Sequence, residues 1–121
     1  MKILGIDDNE EINKLLSTVI KSDGHEFTQV NSGRKGLELI LQGGFDVVLL
    51  DVAMPEFSGK DVVNALIEKG KIKDTPIVLF TASSIVDEEI QELISKGVHS
   101  CIRKPAPIHE ILNLLKTFQN N

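Results

Sequence analysis

Five polar side chains stand directly behind short apolar runs. Asp7 and Asp8 follow "KILGI" (2–6), Asp51 follows "VVLL" (47–50), Thr81 follows "IVLF" (77–80), and Lys104, with Pro105 behind it, follows "SCIR" (100–103). Brought together, Asp7, Asp8 and Asp51 require bound positive charge, because two carboxylates ~5 Å apart repel by roughly 3 kcal/mol at an effective dielectric of ~20. Lys104 supplies one such charge and leaves −2, which one divalent cation cancels. An all-oxygen donor set with room for water suits Mg²⁺, whereas zinc prefers His or Cys. A carboxylate can also act as a nucleophile and form an aspartyl phosphate. Phosphoryl transfer asks a protein mainly for in-line positioning and for charge on the equatorial oxygens. Asp51, at a rigid strand end beside an ammonium and a hydroxyl, would have those neighbours.

Each residue taken singly has a plainer role. Asp8 with Glu11 three residues on fits a capping box. Asp51 fits a solvated loop acid, Thr81 a hydroxyl satisfied by backbone, and Lys104 a surface charge before a turn proline. The plain roles are independent of one another, so their joint occurrence behind successive apolar runs favours a site.

The residues meet only if the runs are neighbouring strands. A fifth run, "FTQV" at 27–30, completes the set, and three of the five are nearly continuous in Val, Ile, Leu or Phe. Strands without apolar–polar alternation are buried on both faces, the mark of a parallel sheet covered by helices. Between the runs lie helical stripes: Ile12, Leu15, Leu16, Val19 and Ile20; Leu37, Ile40 and Leu41; Val62, Val63, Leu66 and Ile67; Ile90, Leu93 and Ile94; and Ile108, Ile111, Leu112, Leu115 and Phe118. Gly24, Gly43, Gly70 and Gly97 follow the first four, where a helix end favours positive φ. Five βα units with right-handed crossovers predict a doubly wound α/β fold, flavodoxin-like, with strand order 2-1-3-4-5. The chain then reverses direction between strands 1 and 3, and ligands bind outside the C-terminal strand ends at that crevice. Strand 2 ends there in Asn31-Ser32, away from the acidic set.

At 121 residues the chain has the size of one domain, read here as 1–121, and its 41% apolar and 26% charged residues are ordinary for a globular protein. The net charge of −5 disfavours nucleic acid and anionic lipid as partners. No apolar run approaches the ~18 residues of a membrane span, and a cytoplasmic location is expected. The single cysteine, Cys101, cannot form an internal disulfide.

The motifs "IDDNE" (6–10), "LLDVAMPEFSG" (49–59), "LFTA" (79–82) and "IRKPA" (102–106) together resemble the receiver domain of two-component response regulators, CheY-like, over essentially the whole chain. The resemblance implies a phosphoacceptor that takes phosphate from a sensor histidine kinase or a histidine phosphotransfer protein. It is regulatory, catalysing only its own phosphorylation and dephosphorylation. By position, Asp51 would accept the phosphoryl group. Asp8 and Asp51 would hold Mg²⁺ through their side chains, Ala53 through its backbone carbonyl, and Asp7 mainly through water. Lys104 would pair with phosphoryl oxygens, Thr81 would swing toward them, and the small Ala82 would leave a path open. The Lys104–Pro105 peptide would be cis. Phosphorylation would change the surface of helix 4, strand 5 and helix 5, where a downstream protein target would bind.

The chain departs from the family at Cys101, three residues before the lysine, where many receivers carry an aromatic whose rotamer follows the threonine. Cys101 reads most simply as a small buried apolar residue. Ala53 and Ser83 lie where receivers tune phosphoryl lifetime. His25, His99 and His109 read as solvated, and "EKGKIKD" (68–74) as a solvated loop. The residues after Pro105 suffice for one last helix, so the chain either works alone or is the receiver of a longer regulator. Two other functions fit less well: a dehalogenase-type phosphatase, distinguished by turnover of substrate, and an adaptor with the receiver fold, distinguished by a phosphate-blind partner.

Overall fold

A computed structural model describes residues 1–82 and 84–119, so Ser83 lies outside the described residues. The elements alternate as β1 (Lys2–Ile6), α1 (Glu10–Ser22), β2 (Glu26–Val30), α2 (Gly33–Gln42), β3 (Val47–Leu50), α3 (Gly59–Glu68), β4 (Ile77–Ala82), α4 (Asp87–Ser95), β5 (Ser100–Lys104) and α5 (Ile108–Gln119). The five strands form one sheet, parallel as the apolar runs and the βα alternation predict, in the expected order β2-β1-β3-β4-β5.

Helices cover both faces, which is why the strands do not alternate. Ile40 of α2, Val62, Val63 and Leu66 of α3, and Ile90 and Leu93 of α4 pack with Leu4, Ile6, Val48, Leu50, Ile77 and Leu79 on one side. Leu16 and Ile20 of α1 and Ile111 and Leu115 of α5 pack with Ile3, Val47, Leu49, Val78, Phe80 and Ile102 on the other. Each buried Leu, Ile or Val contributes roughly 1.5–3 kcal/mol by leaving water.

The glycines behind the first four helices all take positive φ, from 69° at Gly70 to 125° at Gly97. Among the described residues no helix is long and apolar enough to cross a membrane. β4 and β5 run past their apolar cores to Ala82 and Lys104, which places Thr81 and Lys104 inside the sheet.

Three sequence expectations change. The N-cap of α1 is Asn9, whose side chain accepts from the Glu11 and Ile12 amides, so Asp8 is not the cap. His25 is buried, 3.4 Å from the Asp23 carboxylate, its amide bonded back to the Ile20 carbonyl and its ring 3.1 Å from the Met1 amino group; His99 and His109 are exposed as expected. Cys101 is half-buried rather than buried, packed at the edge of the α2–α4 core because β5 is an edge strand. The segment 68–74 is exposed apart from Ile72, which packs against that core; its first residue closes α3.

Candidate functional site

Register sets the site. Ile6 pairs with Leu50 and Ala82 with Lys104, so the ends of β1, β3, β4 and β5 lie side by side. Asp7 and Asp51 extend β1 and β3: the Asp51 amide donates to the Ile6 carbonyl at 2.9 Å, and the Asp7 amide to Val30 at 3.1 Å. Both carboxylates are buried. Behind Asp51 the chain turns sharply, and a Cβ at Gly59 would stand 2.5 Å from the Asp51 carbonyl oxygen. Only glycine allows α3 to start this close, under a capping box formed by Ser58 and Asp61.

Each oxygen of the two buried carboxylates has a partner. Asp51 Oδ1 accepts from Thr81 Oγ1 at 3.1 Å and from the Ala53 amide at 3.3 Å. Asp7 Oδ1 accepts from the Asn9 amide at 2.9 Å. The Lys104 ammonium closes the set: it pairs with Asp7 Oδ2, lies 3.8 Å from Asp51 Oδ2, and sits 5.3 Å from the centre of the Phe80 ring. The Lys104–Pro105 peptide that follows is cis.

Burial pushes the Asp51 carboxyl above the usual carboxylate range. Lys104 opposes that shift, Asp7 adds to it, and the hydrogen bonds from Thr81 and Ala53 oppose it. Asp51 thus stands in an environment that disfavours its charge unless further positive charge is at hand. Asp8 is exposed, and its carboxylate completes a trio whose ligand atoms lie within 4.8 Å of one another. Three carboxylate ligands against one ammonium fit a hard divalent cation such as Mg²⁺, with solvent at the open Asp8 side.

Two further residues touch this region. Asn13 is buried on α1 in line with Leu16 and Ile20, and its Nδ2 donates to the Asp7 carbonyl at 2.8 Å. Among the described residues its buried Oδ1 meets no hydrogen-bond donor. A readable signal existed: Asn13 lies three residues before Leu16 and seven before Ile20, on the face that should be apolar.

Arg103, paired with Thr81 across the sheet, donates to the Ile85 carbonyl at 2.6 Å and to Asp87 Oδ1 at 2.7 Å. It ties β5 to the loop that starts α4, a helix whose N-cap Val86 offers no side-chain hydrogen bond. Lys60 of α3 pairs with Glu89 of α4. Burial pushes the Cys101 thiol up, with Arg103 opposing, so the thiol form prevails and packing accounts for it.

Comparison with known proteins accords with this geometry. The family model described as "Response regulator receiver domain" matches residues 3–116. The uncharacterized transcriptional regulatory protein YkoG of Bacillus subtilis is 32% identical over 91% of this chain, and the chain spans 47% of that protein's length. The polar-differentiation response regulator DivK of Brucella ovis is 26% identical over 96% of the chain and 94% of its own length. Among solved structures, the chemotaxis protein CheY4 of Vibrio cholerae superposes with a TM-score of 0.85 at 28% identity, covering 97% of each chain. The response regulator TrrA of Thermotoga maritima, solved in complex with Mg²⁺ and BeF, gives 0.81 at 28% identity, again over 97% of each chain.

Proposed function

The chain belongs to the response regulator receiver domain family of two-component systems, and on that premise we propose that residues 1–121 act as a single receiver that accepts a phosphoryl group on Asp51. The observation that carries this reading is the surroundings of Asp51: a hydroxyl on one carboxylate oxygen, an ammonium near the other, and two more aspartates alongside.

Asp7, Asp8, Asp51 and the Ala53 backbone carbonyl would hold Mg²⁺, which when bound supplies the positive charge that a dianionic phosphoryl group needs beside carboxylates. The chain's own residues do the rest. The Asp51 carboxylate attacks phosphorus, and the donor's histidine nitrogen leaves. Lys104, already between Asp7 and Asp51, moves its charge onto a phosphoryl oxygen, and the Thr81 hydroxyl turns from Asp51 Oδ1 to another. A phosphoryl group adds roughly −1.5 to −2 of charge and three acceptor oxygens, enough to bias a two-state element. Thr81 is the penultimate residue of β4, close to the loop to α4, so its movement is transmitted to α4, β5 and α5, where a downstream protein target docks. A sensor histidine kinase or a histidine phosphotransfer protein is the donor, in the cytoplasm. No nucleic acid or membrane is engaged directly, and the domain turns over no substrate but its own phosphoryl group.

Incubation with Mg²⁺ and acetyl phosphate, followed by intact mass measurement, tests this reading. One added phosphoryl group is expected, not formed when the metal is chelated beforehand and absent in Asp51→Asn. Labelling that persists in Asp51→Asn would reject Asp51 as the acceptor.

A further inference from the structure

We propose that Asn13 is a positioning residue, whose buried carboxamide holds the Asp7 main chain so that the Asp7 carboxylate keeps Lys104 at the site. The inference rests on the reading of the acidic pocket given above and adds to it a residue outside the pocket.

Asn13 occupies a core-facing slot of α1, in line with Leu16 and Ile20, where an aliphatic side chain would bury well. Instead it buries an amide whose Nδ2 donates to the Asp7 carbonyl and whose Oδ1, among the described residues, meets no donor. A half-satisfied buried amide is a poor choice for stability. Its one bond, however, reaches the residue on which the site's charge balance depends.

The connections from Asp7 are short. Its amide is tied to Val30 on β2, its carbonyl to Asn13, Oδ1 to the Asn9 amide and Oδ2 to Lys104. Lys104 in turn lies 3.8 Å from Asp51. Asp7 is therefore held at main chain and side chain from β2, from the N-cap of α1 and from the buried face of α1. Among the described residues, Asn13 supplies the one tether that comes from a side chain in the helix body. Releasing it loosens the main chain at Asp7, from whose Cα the carboxylate that orients Lys104 branches. Outer partners of this kind govern how well a ligand set holds its metal.

The test uses Asn13→Leu and Asn13→Ala, with folding checked by urea denaturation. In metal-free protein, acylation of Lys104 by N-hydroxysuccinimidyl acetate, followed by peptide mass measurement, should be several-fold faster in both variants than in wild type. The rates at exposed Lys14 and Lys116 should be unchanged. In Mg²⁺ titrations followed by the Asp8 amide resonance, affinity should fall about tenfold. A residue that merely packs would move neither readout, so wild-type acylation and wild-type affinity in a folded variant would overturn the proposal. If neither variant folds, the wild-type protein decides. The Asn13 side-chain amide resonances should shift on Mg²⁺ addition while those of exposed Asn64 stay still, and an unmoved Asn13 amide would overturn the proposal. If wild type shows no response to Mg²⁺, the metal reading fails, and the acylation rates or, without folded variants, slow exchange of the Asn13 amide protons decide the role of Asn13 separately.

Discussion

Arg103 and Lys104 are consecutive on β5, and because successive side chains of a strand point to opposite faces, they serve different regions. Lys104, with 18% of its side chain exposed, lies between two carboxylates that are themselves 6% and 8% exposed. Arg103 reaches outward to the start of α4, where its partner Asp87 is 87% exposed. The same chemistry, a cation on carboxylate, has different consequences in the two places. Water can replace Arg103 around Asp87, whereas the partners of Lys104 have little solvent to fall back on.

Removing each cation sharpens that contrast. Lys104→Met leaves Asp7 and Asp51 without their shared counter-charge, and stability at neutral pH should fall by about 3 kcal/mol in urea denaturation. A loss under ~1 kcal/mol would mean that the pocket is solvated as freely as the α4 shoulder.

The next effect in size has the opposite sign. Because burial raises the folded-state pKa of Asp51 above its ordinary value of 3.8, the unfolded chain ionises first as pH rises. Stability is therefore lost between 3.8 and the raised folded value, and the loss is complete above it. Asp51→Asn removes this penalty, so the metal-free variant should be more stable than wild type at pH 7. The gap should close as pH falls through the raised pKa and vanish below about 3.8. A gap that is absent at pH 7, or that widens in acid, would show that Lys104 outweighs burial.

Arg103→Ala gives the smallest change. Loss of the Asp87 pair and of the bond to Ile85 should cost about 1 kcal/mol, and 1 M salt should shrink the Asp87 part. A loss as large as that of Lys104→Met would erase the distinction between the two regions.

Much of the site was legible because its members follow short strand-like runs, three of them nearly continuous in apolar residues, and a parallel sheet aligns the ends of such runs. Asp7, Asp51, Thr81 and Lys104 could be placed at one edge before any contact was known. Asn13 falls outside the apolar stripe that marks α1, and that stripe does not by itself mark a polar residue buried at the same face. Asn9 and Asp8 are adjacent, and "DDNEE" satisfies capping patterns in more than one register. The choice of Asn9 follows from where α1 starts once Asp7 is pinned to β2. His25 sits in a turn with no periodicity from which burial could be inferred.

The amino-acid sequence by itself determined the alternation of strands and helices, the two-sided burial of the sheet and the edge at which the charges gather. Those depend on local periodicity and on the few topologies open to βα repeats. Tertiary structure alone decided which oxygen meets which donor, that Lys104 faces Asp7 and Asp51 while Arg103 ties down α4, and that Asn13 reaches the back of Asp7. Such pairings depend on register and on the depth of packing between segments far apart in the chain, and no local pattern encodes them.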